Sequence, residues 1–199
     1  SKRKGLFLKI IILLSVIGFF SSLYLTYNHI AAPSDSSFCD VTATVSCSLV
    51  NSSIYSQLFN VPVAVFGTIW CLVLGFLAFR TMHDKKLIRF LLHWNIIGFA
   101  FVLYMIFAEI MLQSICPMCT VVHIIVLISL ILSILLYKKL PKKASLFSLR
   151  YLKSTQLKKW IAVILILNII PLIIFNLPEK EQVDYTNAAK CITENDVTM

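Results

Sequence analysis

The chain carries apolar runs that are too long and too uninterrupted for a water-soluble core. The first, LFLKIIILLSVIGFFSSLYLTY, covers residues 6–27, and four more follow at about 62–82, 88–113, 117–137 and 160–176. At 1.5 Å per residue, roughly 20 apolar residues in a helix cross the ~30 Å hydrocarbon layer of a bilayer. Hydrocarbon offers no water to backbone N–H and C=O groups, so a spanning run must satisfy them within itself, as a helix. The expected fold class is therefore an all-α membrane bundle with five spans. Composition agrees: 59% of residues are hydrophobic and 14% charged, against about half and a quarter in soluble domains. Pro62 opens the second run, where a missing N–H costs nothing. Pro171 falls inside the fifth and predicts a kink.

The net charge of +9 would suit a nucleic-acid binder, but the basic residues fall where membrane topology puts them. Lys2, Arg3, Lys4 and Lys9 lie at the amino end, Arg80, Lys85, Lys86 and Arg89 between the second and third runs, and eight more in 138–159. These segments share one side and hold 16 of the 18 Lys and Arg, while the other side has Lys180, Lys190 and seven of the nine acids. The excess of positive charge marks the cytoplasmic side. The amino end is expected inside, the carboxyl end outside, and no nucleic-acid partner is expected. The 138–159 loop suits lipid phosphates. The first run is too long for a leader's apolar region and lacks a small-x-small cleavage site, so it reads as a membrane helix.

On that map Cys39 and Cys47 lie in the outer segment 28–61, Cys116 and Cys119 where the third span exits and the fourth begins, and Cys191 in the outer tail. Five of six thiols thus face the side on which disulfides persist. Cys71, inside the second span, reads as a core residue. In the outer segment Val41, Val45, Leu49, Val50, Ile54, Leu58 and Phe59 recur every three or four residues. That spacing predicts a short amphipathic helix on the membrane surface, capping the bundle.

Cys116-Pro-Met-Cys119 at a helix amino terminus places its first sulfur beside unpaired N–H groups, which stabilise a thiolate for exchange. By spacing alone a redox pair, a structural disulfide and two unconnected thiols all fit. A zinc site needs about four N or S ligands, and the paired spacing occurs once, so no metal is expected. Cys39 and Cys47 alone read as a structural bridge. Two pairs on one face, however, can pass electrons by thiolate attack through mixed disulfides. His123, one helical turn past Cys119, is either a satisfied buried histidine or a ligand to something bound there. Glu109 is an acid in the outer half of a span, a costly and often functional placement. His93, Asn95, Trp70, Trp94 and Trp160 read as packing or interface residues.

C39-D-V-T-A-T-V-S-C47-S, then Ser52-Ser53, then F59-N-V-P-V-A-V-F-G67, then C116-P-M-C119 at the start of a membrane helix, resemble the vitamin K epoxide reductase family over residues 6–137. The resemblance implies a four-helix membrane bundle around a quinone (ubiquinone or menaquinone), with an extracytoplasmic cap and, as in bacterial members, a fifth helix. It implies oxidation of thioredoxin-like proteins at the outer face of a bacterial plasma membrane. Cys119 would then be the sulfur nearest the quinone, Cys116 would exchange with Cys47, and Cys39 would meet the partner protein. His123, Ser52, Ser53, Asn60 and Phe66 become candidate quinone contacts. Asn60 stands where bacterial relatives often have glycine. His123 replaces the tyrosine of animal members that reduce vitamin K, which argues against the epoxide as substrate.

The expected organisation is a membrane domain over 1–177, with its catalytic bundle at 6–137, and a tail at 178–199. The tail resembles the lead-in to the thioredoxin-like domain of fused bacterial members, so the partner is a separate protein or a fused domain. Two alternatives use the same residues: a vitamin K epoxide or quinone reductase, and a non-catalytic scaffold with structural disulfides.

Overall fold

The computed structural model describes residues 2–31, 39–42, 44–139 and 155–177. In chain order its helices are α1 (Lys2–Ala31), the one-turn α2 (Cys47–Asn51), α3 (Val63–His83), α4 (Ile88–Leu112), α5 (Pro117–Lys138) and α6 (Thr155–Asn176). α1, α3, α4 and α5 are each long and apolar enough to cross a membrane, and the chain is an integral membrane protein. The helix continues through Pro171 in α6. The basic loop 140–154 and the tail with Cys191 lie outside the described residues.

The four long helices form a ring, α1 against α3 and α5, and α4 against α5 and α3. Ile11, Leu74, Leu77, Leu91 and Leu136 fill its centre, while Leu13, Phe20, Phe79 and Ile110 point outward. Outward apolar side chains have lipid to meet, so association inside the membrane must come from close packing and polar contacts rather than from escape from water. Both are present. A Cβ on Gly75 of α3 would collide with Ser15 Oγ of α1. Asn95 of α4, fully buried, donates to the Leu91 carbonyl at 2.9 Å and to Ser133 Oγ of α5 at 3.1 Å.

Antiparallel neighbours sort the helix ends onto two faces. At the basic face the Lys139 ammonium sits 5.2 Å from the Phe7 ring centroid, which brings the end of α5 to the start of α1. The turn Lys85–Leu87 joins α3 to α4 there. At the opposite face α4 ends in a left-handed Gln113 (φ 51°). Ser114 N–H donates to the Glu109 carbonyl at 3.2 Å and Gln113 N–H to Ile110 at 3.2 Å, closing the last turn around otherwise unpaired carbonyls.

That face is covered by a cap. After α2 and a tight turn at Ile54–Ser56, strands β1 (Gln57–Leu58) and β2 (Val61–Pro62) pair antiparallel. Their two-residue connection, Phe59 (φ 54°) and Asn60 (φ 62°), is left-handed at both positions, as the twist of a tight hairpin demands. Asparagine tolerates that conformation; phenylalanine does so at a cost. Asn176 at the end of α6 holds the turn, its Nδ2 donating to the Phe59 carbonyl at 3.0 Å and its Oδ1 accepting from Asn60 Nδ2 at 3.1 Å. The apolar residues of the outer segment divide: Val50 is buried, whereas Val41, Leu49, Ile54 and Phe59 are exposed. Between residues 44 and 61 its α-helix is the single turn of α2.

Candidate active site

Cys116 is the N-cap of α5 and Pro117 its first helical residue. Extended backbone at Cys116 turns its sulfur back over the helix end, where Sγ accepts from Cys119 N–H at 3.1 Å. The two cysteines form a disulfide with Cα atoms 5.2 Å apart. A sulfur that already accepts an amide hydrogen at a helix amino terminus is placed to stabilise a thiolate once the bond is reduced.

Cys39 and Cys47 form the second disulfide, with Cα atoms 5.7 Å apart. A short parallel bridge between Val45 and Ile115 brings the pairs together. Ser46 N–H donates to the Ile115 carbonyl at 3.1 Å and Ile115 N–H to Thr44 at 2.9 Å. Two of these residues each stand one position before a cysteine, Ser46 before Cys47 and Ile115 before Cys116. All four sulfurs share one buried cluster with Leu25 and Val50.

The cap is tied down at several points. His29 at the end of α1 donates from Nδ1 to the Asn51 carbonyl at 2.6 Å and accepts at Nε2 from Gln57 at 3.1 Å. Tyr104 of α4 donates to the Tyr55 carbonyl at 2.9 Å. Asp40, beside Cys39, accepts from Ser46 Oγ (2.8 Å), Ser48 N–H (3.0 Å) and Ser48 Oγ (2.6 Å). A hydrogen bond to a charged group is worth about 1.5–3 kcal/mol and a tenfold rate about 1.4. Asp40→Ala is therefore expected to speed dithiothreitol reduction of Cys39–Cys47 about tenfold, with Asp40→Asn in between. Unchanged reduction kinetics would show that the carboxylate does not hold the cap closed.

Beneath the cap lies a cavity of about 280 Å³. Cys119 and His123 of α5, Phe66 and Trp70 of α3, and Phe101 and Met105 of α4 are among its walls. The CxxC pair thus separates its sulfurs: Cys116 is fully buried among the cap residues, and Cys119 borders the cavity.

Of the candidate contacts from sequence, Phe66 and His123 border this cavity; Ser52, Ser53 and Asn60 are not among its lining residues. Ser53 Oγ donates to the Val50 carbonyl at 2.8 Å and Ser52 Oγ toward Leu49 at 3.5 Å; both serines finish the turn after α2. Asn60 is engaged by Asn176. Sequence reasoning passed over Asn168, which reaches the cavity from α6 while donating to the Ile164 carbonyl at 2.8 Å. Its signal was an amide in the middle of an apolar span, a residue type that turns toward protein rather than lipid.

An apolar cavity in a membrane bundle, bordered by one sulfur of a cysteine pair and roofed by the cap that carries a second pair, defines a membrane-embedded redox protein. The family model described as the vitamin K epoxide reductase family matches residues 9–134. The match covers more than half of the chain, and the protein belongs to that family of oxidoreductases. No curated protein matches the chain.

Proposed function

We propose that the protein oxidises dithiols of thioredoxin-like proteins at the extracytoplasmic face of a bacterial plasma membrane and passes the electrons to a membrane quinone. The observation that carries this reading is the placement of Cys119 on the cavity wall while Cys116 lies with Cys39 and Cys47. The cavity suits a quinone head group: about 280 Å³ is at the small end of ligand pockets, which are mostly apolar with a few polar groups. His123, Asn168 and Phe66 are the residues that would hold it. A bound quinone would supply an acceptor for two electrons and two protons.

The chain's own part is the relay. Partner thiolate attacks the Cys39–Cys47 disulfide at Cys39, and the released pair reduces Cys116–Cys119 through a Cys47–Cys116 mixed disulfide. Cys39 is 5% exposed and Cys47 1%, so a protein partner reaches the first sulfur only by shifting the cap. The bundle keeps water away from Cys119 and orients it toward the cavity.

The test is anaerobic incubation of the protein in lipid with ubiquinone or menaquinone and a reduced thioredoxin-like protein, following quinone absorbance. Absorbance should fall with wild-type protein. Cys39→Ser should stop electron flow from the protein donor while flow from a small dithiol continues. No quinone reduction from either donor would overturn the reading.

A further inference from the structure

We propose that Glu109 is the proton donor and acceptor of the cysteine relay, exchanging a proton with Cys116 whenever that sulfur leaves or attacks. Glu109 is the one acidic residue in the sequence of α1, α3, α4, α5 and α6, and an acid placed within a span is expensive to keep there. Its side chain reaches past the end of α4, where Oε1 accepts from Cys116 N–H at 3.2 Å. A neutral glutamine would satisfy that N–H as well, so the hydrogen bond alone does not explain a carboxyl group. Nor does pairing with a base on its own helix: Arg89 lies at the far end of α4, about 30 Å away.

Burial supplies the reason. Cys116 is 0% exposed, so water does not reach the sulfur that must gain and lose a proton in each cycle. Glu109 is half-buried, so its carboxyl meets both the Cys116 backbone and the surroundings. The other titratable groups of the elements packed here are committed or elsewhere. Asp40 is held by Ser46 and Ser48, His29 by Asn51 and Gln57, Tyr104 by Tyr55, and His123 lies a turn beyond Cys119 on the cavity. Tyr24 packs against the cysteine cluster from α1 and offers a phenol rather than a carboxyl.

The step balances within the chain and rests on the relay reading above. Starting from the Cys47–Cys116 mixed disulfide, the Cys39 thiolate attacks Cys47 Sγ. The Cys39–Cys47 bond forms, the Cys47–Cys116 bond breaks, and its electron pair stays on Cys116 Sγ. The Glu109 carboxyl proton passes to that sulfur, leaving Glu109 as the carboxylate. When Cys116–Cys119 closes again, the Cys116 proton returns to the carboxylate while two electrons leave through Cys119 to the quinone.

The test uses quinone-free full-length protein in lipid nanodiscs. A dithiol is added, samples are acid-quenched and alkylated, and the redox state of each pair is mapped by peptide mass across pH. Infrared difference spectra of reduced minus oxidised protein are recorded alongside. Wild type should show a carboxyl band that changes with the redox state and is absent from Glu109→Gln. Glu109→Gln should keep the fold but slow transfer from the cap pair to Cys116–Cys119 by about 10²-fold, the lower range for a positioned acid. Glu109→Asp should recover part of the rate. An unchanged band, or a Glu109→Gln rate profile that superimposes on wild type, overturns the proton role. Cap-pair reduction that never reaches Cys116–Cys119 even in wild type would instead sink the relay itself.

Discussion

Cys119→Ser should lower quinone reduction by a factor on the order of 10³ or more, since it removes the one sulfur of the four that borders the cavity. A serine hydroxyl is isosteric enough to leave α5 intact, and Cys119 N–H still has the Cys116 sulfur to donate to. The defect should therefore be chemical. Cys39–Cys47 should remain reducible by a small dithiol at the wild-type rate. Cys116, deprived of its partner, is left as a lone thiol in a cluster with Cys47, so a Cys47–Cys116 bridge should accumulate and be found by peptide mapping. Quinone turnover at a wild-type rate would remove Cys119 from the reaction. The predicted bridge without turnover would instead show the relay stalled at its second transfer.

Much of this arrangement can be read in the chain because membranes impose one-dimensional rules. The expected spans 62–82, 88–113 and 117–137 lie within a residue of α3, α4 and α5, since apolar length decides where a helix may cross. α1 runs on to Ala31, past the expected Tyr27, because His29 and the residues near it are polar yet still helical, with His29 bonded to the cap. That Cys116 and Cys119 stand at a helix start is also legible locally, whereas spacing alone leaves their pairing open.

What stayed hidden depends on contacts between distant residues. Ser52 and Ser53 look like ligands in a motif, but short hydroxyl side chains readily bond carbonyls three residues back, and both do so here. Asn60 and Asn176 meet across more than a hundred residues, with no trace of that in either neighbourhood. Asn168 reaches the cavity only because α6 packs on α3. Trp70 and Trp94 look interchangeable with any interfacial tryptophan until the bundle is closed.

That last pair sets the second large effect. Trp70 Nε1 donates to the Trp94 carbonyl and Trp94 Nε1 to the Trp70 carbonyl, each at 3.1 Å, in a reciprocal clasp between α3 and α4. Both indoles are buried and both border the cavity. The clasp needs bare backbone at Gly98: a Cβ there would lie 2.5 Å from Trp70 Cε2 and 2.6 Å from Nε1, inside van der Waals contact. Replacing a mid-helix glycine ordinarily gains up to about 1 kcal/mol of helix propensity. Here overpacking costs about 1–3 kcal/mol, and each buried indole N–H stripped of its acceptor costs about 1–3 more. The clash wins. Gly98→Val should lower the thermal midpoint of the protein in detergent by several degrees and push Trp70 into the cavity, raising the quinone concentration needed for half-maximal rate. Gly98→Ala should do the same to a smaller extent. Trp70→Phe in the Gly98→Val background should restore part of the quinone dependence by removing the atoms that collide. A Gly98→Val protein that melts and binds quinone like wild type would mean that α3 and α4 can separate at this level without loss, and the clasp would not be what shapes the cavity.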